Sequence, residues 1–314
     1  MEITHSGICH TQLLECRGQR GPDPFLPHCL GHEGSGRVLE VGPGVAKLRQ
    51  GEPVVLSWLK GAGADVPGSV YRWEGRAVNA GGVTTFARHA VVSENRATRL
   101  PAGLALRHAA LLGCAVPTGF GAVFHAAGAR PGQSLAVFGV GGVGSCAVAA
   151  AALLGCDPLV AVDVDPGKLA RAALLGATHR LPWGEGAACD ALRALCPAGL
   201  DLAIEASGAP EAMRAALACV RPRGGTAVVV GNARAGEHLE LDPRELNQGK
   251  RLVGTWGGDS DPDRDFPRYA RLLLRGRPDP ERLLSPPYRL EEVNRALDDL
   301  AAGRALRPLL ELGP

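Results

Sequence analysis

Two sets of residues in this chain have the types that chemistry needs. The first is Gly139-Val140-Gly141-Gly142-Val143-Gly144, which satisfies G-x-G-x-x-G. Such glycines alone are a weak signal, since a glycine-rich turn serves many α/β proteins. Here they follow the apolar run Leu135–Gly139 and open the helical pattern Val143–Leu154. Asp163 closes the next apolar run, nineteen positions after Gly144. In that context the first glycine makes a tight turn and the second lets the backbone approach a pyrophosphate. The third permits close helix packing, and the helix N-terminus faces the phosphate charge. Asp163 can accept from both adenosine ribose hydroxyls, and its charge repels a 2′-phosphate. The expected cofactor is NAD, held by Gly139, Gly141, Gly142, Val143, Gly144 and Asp163, with Lys168 assigned to the same site.

The second set is spread over three strings, Gly7-Ile8-Cys9-His10-Thr11, Leu30-Gly31-His32-Glu33-Gly34 and Leu112-Gly113-Cys114-Ala115. Two thiolates and one imidazole make a three-ligand set that leaves zinc a fourth position for water or substrate. Singly, each residue has a plainer reading, because cysteine is among the most buried residue types and a lone histidine usually serves packing. The three positions are too far apart for spacing to decide. A rival set is Cys9, Cys16, Cys29 and His32, but Cys9-x6-Cys16 is wider than structural zinc sites use.

These residues need elements to position them, and the pattern changes near residue 115. Before it, short apolar runs at 36–41, 53–56 and 86–92 lie between turn signals and read as strands of a β-rich unit. After it, strands at 135–139, 159–163, 201–206 and 226–231 alternate with helices at 143–154, 167–175 and 209–220. That alternation predicts a parallel sheet with helices on both faces. A further strand is expected at 252–255, whereas the tail, helical at 290–302 and apolar at 309–312, belongs clearly to neither pattern.

Composition bounds the function classes. Of 314 residues, 46% are hydrophobic and 21% charged, which is globular composition. A net charge of +2 gives no footprint for nucleic acid or a membrane surface. Only thirteen aromatics are present, so the core must be built from Ala, Val and Leu. Nine scattered cysteines imply reduced thiols and a cytoplasmic protein. The start has no basic-then-apolar signal. The apolar stretch 137–162 is broken by glycines and by Asp157-Pro158, which argues against a membrane span.

At this point the strings GICHT, LGHEGSGRV, GCAVPTGFGA and FGVGGVG, in this order, resemble the medium-chain, zinc-dependent alcohol dehydrogenases over nearly the whole chain. The resemblance implies an α/β fold: a Rossmann doubly wound parallel sheet plus a GroES-like β-rich catalytic domain lacking its N-terminal strands. Residues 1–115 and 259–314 would form the catalytic domain and 116–258 the dinucleotide-binding domain. It implies one catalytic zinc on Cys9, His32 and Cys114, with Glu33 as a nearby carboxylate able to approach the metal. Thr11 matches the hydroxyl that passes the alcohol proton towards solvent. His10 and Arg307 match positions on the cofactor pyrophosphate, and Thr118 one on the nicotinamide. Trp58 and Leu14 fall on the substrate pocket wall. The implied partners are a small alcohol or aldehyde and further copies of the chain in a dimer or tetramer.

Departures from the family pattern matter as well. Gln12 stands where an aspartate usually orients the ligand histidine; an amide can accept from His32 but adds no charge. Leu14 replaces a histidine that ends the proton relay in some relatives. No cysteine lies between Cys29 and Cys114, so no structural zinc is expected. The chain begins at what resembles the strand just before the first zinc ligand. The competing readings are a zinc-free NADPH quinone or enone reductase and an inactive dinucleotide-binding protein. The complete ligand set and Asp163 count against the former, while Gln12 and the short start are the latter's only support.

Overall fold

The computed structural model describes residues 1–184 and 186–313. The chain forms two compact units, Met1–Pro117 with Asp261–Pro314, and Thr118–Ser260.

In the second unit six strands lie in the order Arg251–Gly254, Thr226–Val229, Leu202–Glu205, Leu135–Phe138, Leu159–Asp163, His179–Pro182, and every pairing is parallel. The chain starts at Leu135–Phe138, winds outward to His179–Pro182, then returns to Leu202–Glu205 on the other side. This is the doubly wound order, with its reversal between Leu135–Phe138 and Leu202–Glu205; in such sheets ligands bind outside the carboxyl ends of the strands at that switch point. The four inner strands read Leu-Ala-Val-Phe, Leu-Val-Ala-Val-Asp, Leu-Ala-Ile-Glu and Thr-Ala-Val-Val because both sheet faces are covered. Helix Gly142–Leu154 crosses back over them with a nearly all-buried face of small residues. Small side chains let it sit close, which is how a core with few aromatics reaches interior density.

The first unit carries a six-stranded sheet ordered Pro287–Arg289, Leu309–Glu311, Glu2–Gly7, Glu33–Arg37, Pro53–Ser57, Ala97–Arg99. Ile3, Ile8, Leu13, Val54, Leu56, Ala97 and Leu310 pack beneath it. The apolar end of the chain, which the sequence left unassigned, is thus a strand beside Glu2–Gly7. The expected strand over 86–92 is corrected. That segment makes one isolated bridge, Glu2↔His89, flanked by bonds from Ile3 N to Arg88 O and Ala90 N to Met1 O.

The cysteine-free stretch 60–82 contains the hairpin Val70–Trp73 with Arg76–Asn79. Its approach is organised by one buried carboxylate. Glu94 accepts from the backbone N–H groups of Ala46 at 2.8 Å, Lys47 at 2.5 Å and Ala64 at 2.9 Å. These bonds from Ala64 and Lys47 hold its carboxyl below the usual range. Among the described residues no single helix is long and apolar enough to cross a membrane.

Candidate metal centre and dinucleotide turn

Three different local structures deliver the first set of residues, all within the first unit. Cys9 is the N-cap of helix His10–Cys16, His32 immediately precedes strand Glu33–Arg37, and Cys114 follows the short helix Ala110–Gly113. One ligand atom from each of these three residues lies within 4.8 Å of the others. Among the described residues no other three metal-capable side chains converge in this way. Cys16 and Cys29, the rival ligands, are not in the group; Cys16 is exposed.

The chemistry of this set suits a soft or borderline cation. Cys114 donates to the Cys9 sulfur, which holds the Cys9 thiol well below its ordinary range and pushes Cys114 well above it. A metal ion would take both sulfurs as thiolates, with release of their protons. His32 Nδ1 is occupied by Gln12, so Nε2, buried beside the Cys9 sulfur, is the nitrogen left to ligate. A buried imidazole nitrogen beside two thiols fits zinc, which takes tetrahedral sulfur and nitrogen donors.

Gln12 behaves differently from the sequence expectation. Its Oε1 accepts from Cys9 N–H at 2.9 Å, and its Nε2 faces His32 Nδ1 at 2.5 Å. The amide oxygen that was expected to accept from His32 is already used by the helix N-terminus.

Around this group, Thr11 Oγ1 lies 3.6 Å from the Cys9 sulfur. The Trp58 ring meets His32 edge-on, with centroids 6.5 Å apart and planes at 73°. Leu14 is buried on the same helix as Gln12, and His10 is exposed at its start. Glu33 is fully buried, in space kept open by Gly7 and Gly113, whose Cβ atoms would approach it to 2.7 and 2.6 Å. Its Oε1 accepts from Arg307 Nη2. Burial pushes the Glu33 carboxyl up, against the pull of Arg307. Burial also pulls the guanidinium down, but the charges of Glu33, Cys9 and Cys114 outweigh it and keep Arg307 charged. Sequence reasoning missed this pair. Its signal was a lone cation inside the apolar run Ala305–Leu310.

The second set lies in the other unit. Gly139 turns the chain out of its strand at φ +82°, with the Ser207 backbone against it. A Cβ on Gly144 would strike Gly139 O at 1.8 Å, so this position packs the helix onto the turn. A Cβ on Gly141 would meet nothing within 4 Å, leaving open space above the N-terminus of helix Gly142–Leu154. That open cradle fits a phosphate. Asp163 is buried at its strand end, where Oδ2 accepts from Val140 N at 2.8 Å and Oδ1 from Asp165 N at 3.0 Å. Lys168 Nζ stands 3.9 Å from Asp163 Oδ1. Asp165 caps the helix carrying Lys168. Thr118 is buried, and its hydroxyl has no hydrogen-bond partner.

Residues 1–102 match the alcohol dehydrogenase GroES-like domain and residues 142–275 the zinc-binding dehydrogenase family. The chain is 34% identical to geraniol dehydrogenase of Castellaniella defragrans over 99% of its own length and 89% of that protein. It is 29% identical to S-(hydroxymethyl)glutathione dehydrogenase of Synechocystis, over 99% of the chain and 91% of that protein. The crystal structure of benzyl alcohol dehydrogenase from Acinetobacter calcoaceticus superposes with a TM-score of 0.90 at 29% identity, covering 99% of this chain and 91% of that one. A GroES-like unit bearing a cysteine–histidine cluster, joined in one chain to a Rossmann unit, makes this protein an oxidoreductase of the medium-chain, zinc-type alcohol dehydrogenase family.

Proposed function

We propose that the chain transfers hydride between a small alcohol, or the corresponding aldehyde, and NAD, with one zinc ion per chain. The observation that carries this reading is the convergence of Cys9, His32 and Cys114 to within 4.8 Å. Zinc, when bound, supplies a Lewis acid that favours the deprotonated alcohol, and NAD supplies the hydride acceptor. The chain's own residues do the remaining work. Cys9, Cys114 and His32 Nε2 hold the ion. The Thr11 hydroxyl, beside Cys9, takes the alcohol proton and releases it towards solvent. With Leu14 in place of a relay histidine, that proton leaves through the cofactor ribose or water. Glu33, kept beside the cluster by Arg307, is a carboxylate in reserve for ligand exchange.

On the cofactor side, Gly139, Gly141, Gly142, Val143 and Gly144 admit the pyrophosphate. Asp163 and Lys168 hold the ribose, and the Asp163 charge disfavours a 2′-phosphate. His10 and Arg307 are assigned to the pyrophosphate, Thr118 to the nicotinamide, and Trp58 with Leu14 to an apolar substrate wall. A cytoplasmic homo-oligomer, dimer or tetramer, completes the reading. The experiment is a screen of primary and secondary alcohols with NAD and zinc-loaded protein, following NADH absorbance. Turnover of at least one alcohol class is expected; absence of NADH formation across the panel would reject the proposal.

A further inference from the structure

Gln12 makes two bonds that a zinc-ligating His32 is unable to share. Its Oε1 accepts the Cys9 backbone N–H at 2.9 Å, at the first turn of helix His10–Cys16. A backbone N–H only donates, so this bond fixes which end of the amide points where. The amide nitrogen is thereby turned on His32 Nδ1 at 2.5 Å. An amide nitrogen also only donates, so Nδ1 must present its lone pair. In a neutral imidazole the single ring proton then sits on Nε2. Nε2 is the buried nitrogen that would have to ligate.

The geometry points to Gln12 as a positioning residue that holds the metal-free site in the non-ligating tautomer of His32. Zinc at Nε2 requires the lone pair there. The Nε2 proton must therefore leave to solvent, and another must arrive on Nδ1. Nδ1–H then faces an amide N–H, two donors with no acceptor between them. The amide has to rotate so that Oε1 accepts from Nδ1–H, which turns its nitrogen towards Cys9 N–H and breaks the helix-capping bond. Each zinc bound therefore costs the chain one cap. A carboxylate of the same length would avoid the conflict, since one oxygen can accept from Cys9 N–H and the other from His32 Nδ1–H.

This inference deepens the zinc reading above and rests on it, and two measurements separate them. In metal-free wild type at mildly alkaline pH, ¹⁵N shifts of the His32 ring should report the Nε2–H tautomer, changing to Nδ1–H when zinc is added. Nδ1–H in the metal-free protein would overturn the inference. Competition against a zinc chelator should show Gln12→Glu binding zinc more tightly than wild type, by about 10–100-fold, the usual weight of a ligand's supporting partner. Equal or weaker binding by a folded Gln12→Glu would also overturn it. If that variant does not fold, the tautomer measurement decides alone. A wild type that takes up no zinc defeats the functional proposal instead, and the ring shifts of the metal-free protein still decide this one.

Discussion

Arg307 and Glu33 are 274 residues apart in the chain, yet the Arg307 Nη2 donates directly to Glu33 Oε1 where neither side chain reaches solvent. Breaking one half of such a pair strands a charge in the interior. Arg307→Met is therefore expected to lose about 3–5 kcal/mol of unfolding free energy, the usual result of removing one partner of a buried pair. Combining it with Glu33→Gln should restore much of that loss. Urea unfolding of the wild type, both single variants and the double variant measures the coupling. Additive losses would mean that the two side chains do not depend on each other.

Metal content gives the second prediction. One zinc per chain is expected, and Cys114→Ser should lose both zinc and turnover, because an alcohol hydroxyl is a poor substitute for a thiolate. Removal of the ion by dialysis against a chelator should abolish NADH formation, and added zinc should restore it. Elemental analysis finding two tightly held zincs per chain would show that a second site exists.

The Asp163 carboxylate is expected to set cofactor preference. Asp163→Asn keeps an oxygen for Val140 N–H and removes the charge, at the loss of the bond from Asp165 N–H, which affects both cofactors alike. The ratio of kcat/KM for NADP over NAD should then rise about tenfold or more, since like charges a few ångströms apart near a surface repel by a few kcal/mol. Steady-state kinetics with both cofactors test this. A wild type that already prefers NADP would remove the basis of the prediction.

A fourth prediction concerns Cys189, on helix Ala187–Leu195, and Cys219, at the end of helix Pro210–Cys219. A hydrogen bond from Cys219 is the main reason that the Cys189 thiol is lowered to about 7. Cys219 itself is buried and raised by the same contact. Alkylation by iodoacetamide should thus single out Cys189 of the pair, its rate rising with a midpoint near pH 7, and Cys219→Ala should move that midpoint upward. Peptide mapping across a pH series reads both effects; an unchanged midpoint in the variant would exclude the thiol–thiol contact as the cause.

Much of the second unit was legible in the sequence for a physical reason. Strands buried on both faces become continuous apolar runs, so Leu135–Phe138 and Leu202–Glu205 stand out. The strand His179–Pro182 was missed because it lies at the sheet edge, largely exposed and without an apolar run. In the first unit, 86–92 has strand-like alternation, but its backbone finds only one short bridge. Leu309–Glu311 could not be placed because one of its two partners, Glu2–Gly7, is at the opposite end of the chain and the other, Pro287–Arg289, is a three-residue strand without an apolar run. At the site, the residue types of Cys9, His32 and Cys114 were readable, whereas the orientation of Gln12 was not. That orientation depends on which end of a nearly symmetric amide meets the Cys9 N–H, a matter of three-dimensional position.

Glu94 acts as a clasp, gathering the backbone amides of Ala46 and Lys47 and that of Ala64 at the start of the 60–82 lobe. Its carboxyl is held below the usual range in the folded chain, so its contribution is present above the ordinary carboxylate pKa and fades as pH falls through the lowered folded value. The lobe is then expected to loosen first under acid, and Glu94→Gln should unfold more easily at neutral pH but differ less from wild type as the medium is acidified. Chelators and thiol oxidants have no purchase on this clasp. Acidity, rather than metal supply, is the condition to which this part of the molecule answers.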